Sequence, residues 1–166
     1  MRRGVAMDPP VFRSRHPGPP PEPAPAWRLP LTADERSRCR GLRRTACGVP
    51  VLLQLPRGEA LRPGEWLCCD GPEQRWLQVT AAPEPLLRVR AGDALALLQA
   101  AYHLGNRHVA LEIRPAELRL PDDPVLAHLL EHRGLEVLRI TAPFEPESGA
   151  YDHSHSHDPS PGAGPG

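Results

Sequence analysis

Lysine is missing from this chain altogether, so all 20 of its basic residues are arginine. Its absence excludes Schiff-base catalysis and a Walker-type phosphate loop, both of which need the amine. Net charge is missing too, because 20 acidic residues balance the 20 basic ones. That balance removes the electrostatic reason to expect nucleic acid or an anionic membrane as a partner. The abundance of Ala, Pro and Gly beside the arginine reads as genomic composition bias, so the arginine count carries little functional weight. Cysteine is sparse: Cys39, Cys47, Cys68 and Cys69 form no CxxC pair, and adjacent cysteines rarely bridge each other. Reduced thiols in a cytoplasmic protein are expected rather than a disulfide framework. No apolar run approaches the length that spans a bilayer, and the opening "MRRGVAMDPPVFRSRHPGPPPEPAPAW" lacks the apolar run of a signal peptide. No nucleophile–base pair or carboxylate constellation stands out, so no enzyme is expected.

What is present is organised unevenly. Residues 1–26 are dense in proline and poor in apolar side chains, and read as a disordered or polyproline-like extension. The end of the chain from residue 149, "GAYDHSHSHDPSPGAGPG", reads as a second disordered tail, residues 149–166. Between them, residues 27–81 hold short apolar runs broken by Pro and Gly, such as "VLLQLPRG" and "RWLQVTA". Such runs predict a small all-β domain of strands and hairpins. The stretch "LPLTADERSRCRGLRRT" within it reads as extended. Residues 82–148 alternate instead. A strand near 85–90 is followed by a helix from Asp93 to Gly105, then by a strand over 107–114 and a short strand near Leu118. A second helix starts at Asp122, Asp123 and Pro124 and closes at Gly134, and the last strand covers 135–140. That order is βαββαβ, the ferredoxin-like split unit, so the fold class is α+β with a tail at each end.

Histidine is the residue type that stands out chemically. In "AYHLGNRHVALEI", alternation along a strand over 107–114 puts Val109, Leu111 and Ile113 on the core side. His108, Ala110, Glu112 and Arg114 take the other side, which makes His108 an exposed or interfacial histidine. One imidazole is too few for a tight metal site, but a two-fold homodimer doubles any residue near its axis. Neutral imidazole suits Ni(II), Zn(II) and Cu(II) alike. His103 ends the first helix, where the helix dipole alone favours it, with a supporting role near His108 left open. His128 and His132 share one helix face at i and i+4 and project away from the Leu126, Leu129 and Leu130 stripe, as solvent-facing residues do. His153, His155 and His157 alternate in "HSHSHD" beside Asp152 and Asp158, a composition that gathers borderline divalent metals.

Taken together, "AYHLGNRHVALEI", "APFEPESGAY" and the histidine-bearing tail resemble the UreE family of urease accessory proteins. "LTADERSRCR" and "LPRGEALRPGE" are similar to that family's N-terminal stretches, and the resemblance spans about residues 29–157. It implies a nickel metallochaperone with a β-rich peptide-binding-like domain and a ferredoxin-like domain that forms a head-to-head homodimer. In such a protein His108 and its copy would bind Ni(II) at the dimer interface, with Zn(II) or Cu(II) as competitors. His153, His155 or His157 would complete the coordination. The ion would pass to the urease accessory GTPase within a complex with the urease apoprotein. Two departures matter. After "ELR" this chain offers only Asp122 and Asp123, so a peripheral histidine site is not expected. Its tail is also short beside the polyhistidine tails of some relatives, which suits delivery over storage.

Two competing readings remain. One is a peptide-binding adaptor that uses the β domain, with the histidines incidental. The other is RNA binding on the ferredoxin-like sheet, disfavoured because the expected strands up to Ile140 contain no aromatic residue.

Overall fold

The computed structural model describes residues 8–21, 26–69 and 74–148. The N-terminal part begins with β1 (Val11–His16), β2 (Ala26–Leu31), α1 (Ala33–Ser37) and β3 (Arg40–Arg44). It continues through β4 (Pro50–Gln54), β5 (Trp66–Cys69) and β6 (Trp76–Ala81). These strands form one six-stranded sheet in the order β2-β6-β5-β1-β4-β3. Alternate residues line its core, with Leu29 and Leu31 from β2, Val51 and Leu53 from β4, and Leu77 and Val79 from β6 all buried.

Two expectations need correction here. Residues 11–16 are not part of a disordered extension. They form β1, placed between β4 and β5, with Phe12 fully buried. Its two apolar residues and flanking prolines give no periodicity to read. What holds it is the gap between two partner strands, whose backbone groups need pairing, as where the Leu52 amide donates to the Pro10 carbonyl at 2.9 Å. Of that expected extension only residues 1–7 and 22–25 lie outside the described residues, as does the tail from 149. Nor is "TADERS" extended. Thr32 accepts from the Glu35 amide while the Glu35 carboxylate accepts from the Thr32 amide, a reciprocal capping box that starts α1.

The second part holds β7 (Pro83–Arg90), α2 (Ala94–Gly105), β8 (Glu112–Arg114), β9 (Glu117–Pro121), α3 (Pro124–His132) and β10 (Glu136–Pro143). Its four strands lie in the order β10-β7-β9-β8 with every neighbour antiparallel, the ferredoxin-like arrangement expected from βαββαβ. Leu87 and Val89 of β7 and Leu118 and Leu120 of β9 pack against Ala100 and Leu104 of α2 and Ala127 and Leu130 of α3. The helix starts follow local chemistry. Asp93 accepts from the Ala96 amide, and Asp123 accepts from the Val125 and Leu126 amides with Pro124 in the first turn.

Cross-strand pairing puts Arg90, Arg119, Glu117, Glu112 and Arg114 on the face turned away from the helices. Glu117 is buried there and accepts from Arg90 Nη2 at 2.9 Å and Arg119 Nε at 2.8 Å. Burial pushes its carboxyl up, but the hydrogen bonds from Arg90 and Arg119 outweigh that and hold it below the ordinary value. A depressed carboxyl contributes stability above its unfolded pKa, and that contribution is lost as pH falls through the lower folded value. Glu117→Gln is therefore expected to cost about 1–2 kcal/mol near pH 7. The gap between variant and wild type should close below about pH 4, as read by denaturant melts across pH.

The two parts are joined by more than chain connectivity. The Ala82 amide donates to the Leu31 carbonyl at 2.9 Å, and the Ala33 amide to Glu84 Oε1 at 2.8 Å. Arg36 of α1, itself buried, donates to the Leu31 and Phe144 carbonyls. Burial lowers the Arg36 pKa, while Glu84 and Glu145 act in the opposite direction.

Candidate metal centre

The apolar-rich sequence of α2, "ALALLQAAYHLG", folds as a helix and then must stop. The stop is a Schellman turn. The Val109 amide reaches back to the Leu104 carbonyl at 3.2 Å, and the His108 amide to the Gly105 carbonyl at 2.9 Å. The residue that takes the left-handed conformation is His108, at φ 56°, and it is the one non-glycine described residue with positive φ. The helix ends at Gly105 as expected, but Gly105 is its last helical residue, and His108 occupies the left-handed position glycine usually fills. Holding a non-glycine residue there costs roughly 1–2 kcal/mol, strain of a kind that marks functional positions.

This changes the reason for His108's exposure. It is exposed, as expected, but it stands in a turn and not on a strand, because β8 begins only at Glu112. The expected alternation of faces holds, with Leu111 and Ile113 on one side and Glu112 and Arg114 on the other, but burial does not follow it: Glu112 is buried, and Ile113, expected in the core, is 54% exposed. His103 is half-buried in the last turn of α2, edge-on to Tyr102 with ring centroids 5.6 Å apart, and its carbonyl accepts from Arg107. His128 and His132 are exposed on α3, their rings 6.5 Å apart. Asp122 pairs with Arg139 and Asp123 caps α3, so both acidic residues after "ELR" are engaged. His153, His155 and His157 lie outside the described residues. Among the described residues no group of three or more His, Cys, Asp or Glu side chains converges to hold an ion.

Beside His108, sequence reasoning missed an apolar stripe. Leu95, Leu98 and Tyr102 recur at i, i+3 and i+7 on α2 and are 63%, 67% and 68% exposed. A helix apolar on every side signals burial on more than one face, and that signal was available in the sequence.

It also missed where the chain leaves the fold. After β10 the backbone crosses the end of the sheet, from the β10 edge to the β8 edge. Phe144 is buried on the way, the Glu145 amide donates to Glu112 Oε2 at 3.1 Å, and the Glu147 amide donates to the Leu111 carbonyl at 2.7 Å. The last described residues thus run beside the segment that follows His108.

Comparison with known proteins bears directly on this arrangement. The family model described as the N-terminal domain of the UreE urease accessory protein matches residues 12–82. The model for its C-terminal domain matches residues 84–163, a span that includes both His108 and the tail histidines. The chain belongs to the UreE family of urease accessory proteins. Similar proteins named "Urease accessory protein UreE" include one from Parasynechococcus marenigrum (strain WH8102). It is 63% identical over 123 residues, covering 74% of this chain and 81% of its own. The relative from Nostoc sp. (strain PCC 7120 / SAG 25.82 / UTEX 2576) is 48% identical over 135 residues, 81% of this chain and 91% of its own. As a UreE-family member the chain is an accessory protein of urease, which places its role in urease maturation. Among the described residues no helix is long and apolar enough to cross a membrane.

Proposed function

We propose that this chain is a cytoplasmic nickel metallochaperone that works as a homodimer. Two His108 imidazoles, one from each protomer, capture a single Ni(II) near the two-fold axis, and His153, His155 or His157 of the C-terminal tail closes the coordination. The observation that carries this reading is His108 itself, a solvent-exposed imidazole held in a strained left-handed turn directly after a helix with an unpartnered apolar stripe. A stripe of Leu95, Leu98 and Tyr102 suits an isologous contact, in which the same patch from each protomer meets its copy. His108, six residues beyond Tyr102, would then lie close to that contact.

Delivery follows from the unequal ligands. The paired imidazoles are fixed to the fold, whereas tail ligands are displaced first by an acceptor with more or softer donors. That acceptor is, on this reading, the urease accessory GTPase bound with the urease apoprotein. Protons compete for the imidazole nitrogens, so metal is held less well in acid. Zn(II) and Cu(II) compete for the same donors.

The direct test is nickel titration with mass determination of the native protein. One tight Ni(II) per two chains is expected. One ion per chain, or tight binding by a monomer, would defeat the shared site.

The open groove between β1 and the loop after β4 keeps the peptide-binding adaptor as a second reading. Arg13, Arg15, Pro56, Arg57 and Glu59 line it, a surface suited to an acidic segment. On that reading urease maturation is indifferent to His108 and survives its replacement.

A further inference from the structure

The proposed shared site makes no use of His128 and His132. Both are exposed on α3, four residues apart. Four residues of helix rise by about 6 Å, and the two rings stand 6.5 Å apart with planes 28° from parallel. They therefore project side by side from one face of the helix in matching orientations. Among the described residues neither ring has a hydrogen-bond or ion-pair partner, and the one ring contact of each is with the other. A single imidazole of this kind is an ordinary surface residue. Two at this spacing can close on one ion.

The helix beneath them is fixed from several directions. Ala127 and Leu130 are buried, and Leu126 and Leu129 pack against the same core. That leaves Val125, His128 and His132, at i, i+3 and i+7, on the solvent face. Asp123 caps the first turn and Pro124 opens it, while Gly134 at φ 78° turns the chain away just beyond the last. Backbone order is thus in place before an ion arrives. On a shared ion each nitrogen lies about 2.1 Å from the metal, so the two come within about 4 Å of each other. From centroids 6.5 Å apart, side-chain rotation alone makes that approach. His132 is also the last residue of the helix, where the carbonyl end of the dipole favours positive charge. Glu131 and Arg133 flank it with opposite charges, both exposed.

We propose that His128 and His132 form a second metal site, a two-histidine clip for a borderline divalent cation such as Zn²⁺, Cu²⁺ or Ni²⁺. Water fills the remaining coordination positions. Each protomer carries its own clip. The site goes beyond the proposed function, because it needs neither a dimer nor His108. With two protein ligands it holds its ion loosely and gives it up readily. Its affinity comes from chelation: once one imidazole holds the ion, the other meets it at high effective concentration, a gain of about 100-fold or more. Removing either histidine therefore costs nearly as much as removing both.

The test follows the His128 and His132 ring resonances by NMR while free Zn²⁺ is raised with a metal buffer. It uses the full chain and a full chain carrying His108→Ala. Both rings are expected to shift together along one binding curve, at the same free Zn²⁺ in the two chains. In H128A the His132 ring, and in H132A the His128 ring, should need about 100-fold more Zn²⁺. Both variants fold, because the positions are exposed and alanine is the better helix former. H132A/R133H keeps two histidines but sets them five apart, on different faces, and should behave as H132A does. Rings that ignore Zn²⁺, or that shift at different concentrations, would overturn the proposal. So would a His128 ring indifferent to the loss of His132, or full rescue by H132A/R133H, which would make histidine content and not spacing decisive. A curve that moves with His108→Ala would tie the pair to the shared site and end its claim to be a separate one.

Discussion

Replacing His108 with glycine is expected to abolish tight nickel binding while leaving the fold at least as stable as before. Most ligand substitutions confuse two effects, loss of the donor and damage to its surroundings. His108 allows them to be separated because of its backbone. At φ 56° it occupies the left-handed position of a Schellman turn, where glycine pays no Cβ penalty. His108→Gly therefore relieves strain and keeps the turn, offset in part by the greater freedom of glycine in the unfolded chain. The net change should lie between zero and about 1 kcal/mol in favour of the variant. His108→Ala removes the same imidazole but retains a Cβ in the left-handed region. On the proposed shared site, each dimer would lose two ligands in either variant. Even outer partners of a metal ligand are worth about 10- to 100-fold in affinity, so a loss of at least about 100-fold is expected. Thermal melts and nickel titration on the same samples check both halves. A His108→Gly protein that binds one Ni(II) per dimer like wild type would remove His108 from the centre.

The second large effect is expected at Leu98, which is not one of the proposed ligands. Leu98→Asp should yield a folded monomer that no longer holds nickel tightly, although His108 is intact. Leu98 lies in the middle of the exposed stripe and is 67% exposed in the single chain. An aspartate there costs the monomer only its lower helix propensity, about 0.5 kcal/mol. In a symmetric contact the substitution appears twice, bringing two unpaired carboxylates into an apolar interface. That costs several kcal/mol, enough to raise a dimer dissociation constant by more than about 100-fold. Mass determination and nickel titration at matched concentration read the outcome. A Leu98→Asp protein that stays dimeric with its nickel site whole would show that the α2 face is not the contact.

Much of the second part of the fold was legible because its signals are local. Asp93, Asp123, Pro124 and Gly134 mark helix ends through bonds to residues within one turn, and such bonds form wherever the helix lies. The order of elements, and hence the ferredoxin-like sheet, followed from those ends and the apolar runs between them. The failures share the opposite character. Gly105 ends the helix as expected, but the left-handed position glycine usually takes falls three residues later, on His108. Alternation through 107–114 looked continuous, but the strand is only Glu112–Arg114. Glu112 looked like an outward polar residue because the strap that covers it comes from residues 144–147. Residues 11–16 looked too poor in apolar side chains to fold, because their place is defined by β4 and β5.

By itself, then, the sequence determined the family, the α+β class, the helix ends and the histidine that most merits testing. Each of these depends on short-range patterning or on strings such as "YHLGNRH" that survive without knowledge of the fold. Only the tertiary structure decided that His108 is held in a strained turn, that α2 keeps an apolar stripe uncovered, and that the chain crosses the whole sheet before its tail begins. The physical reason is that burial and backbone pairing are settled between segments far apart in sequence. Glu112 and Glu145, 33 residues apart, satisfy each other only after the sheet has brought its two edges into place.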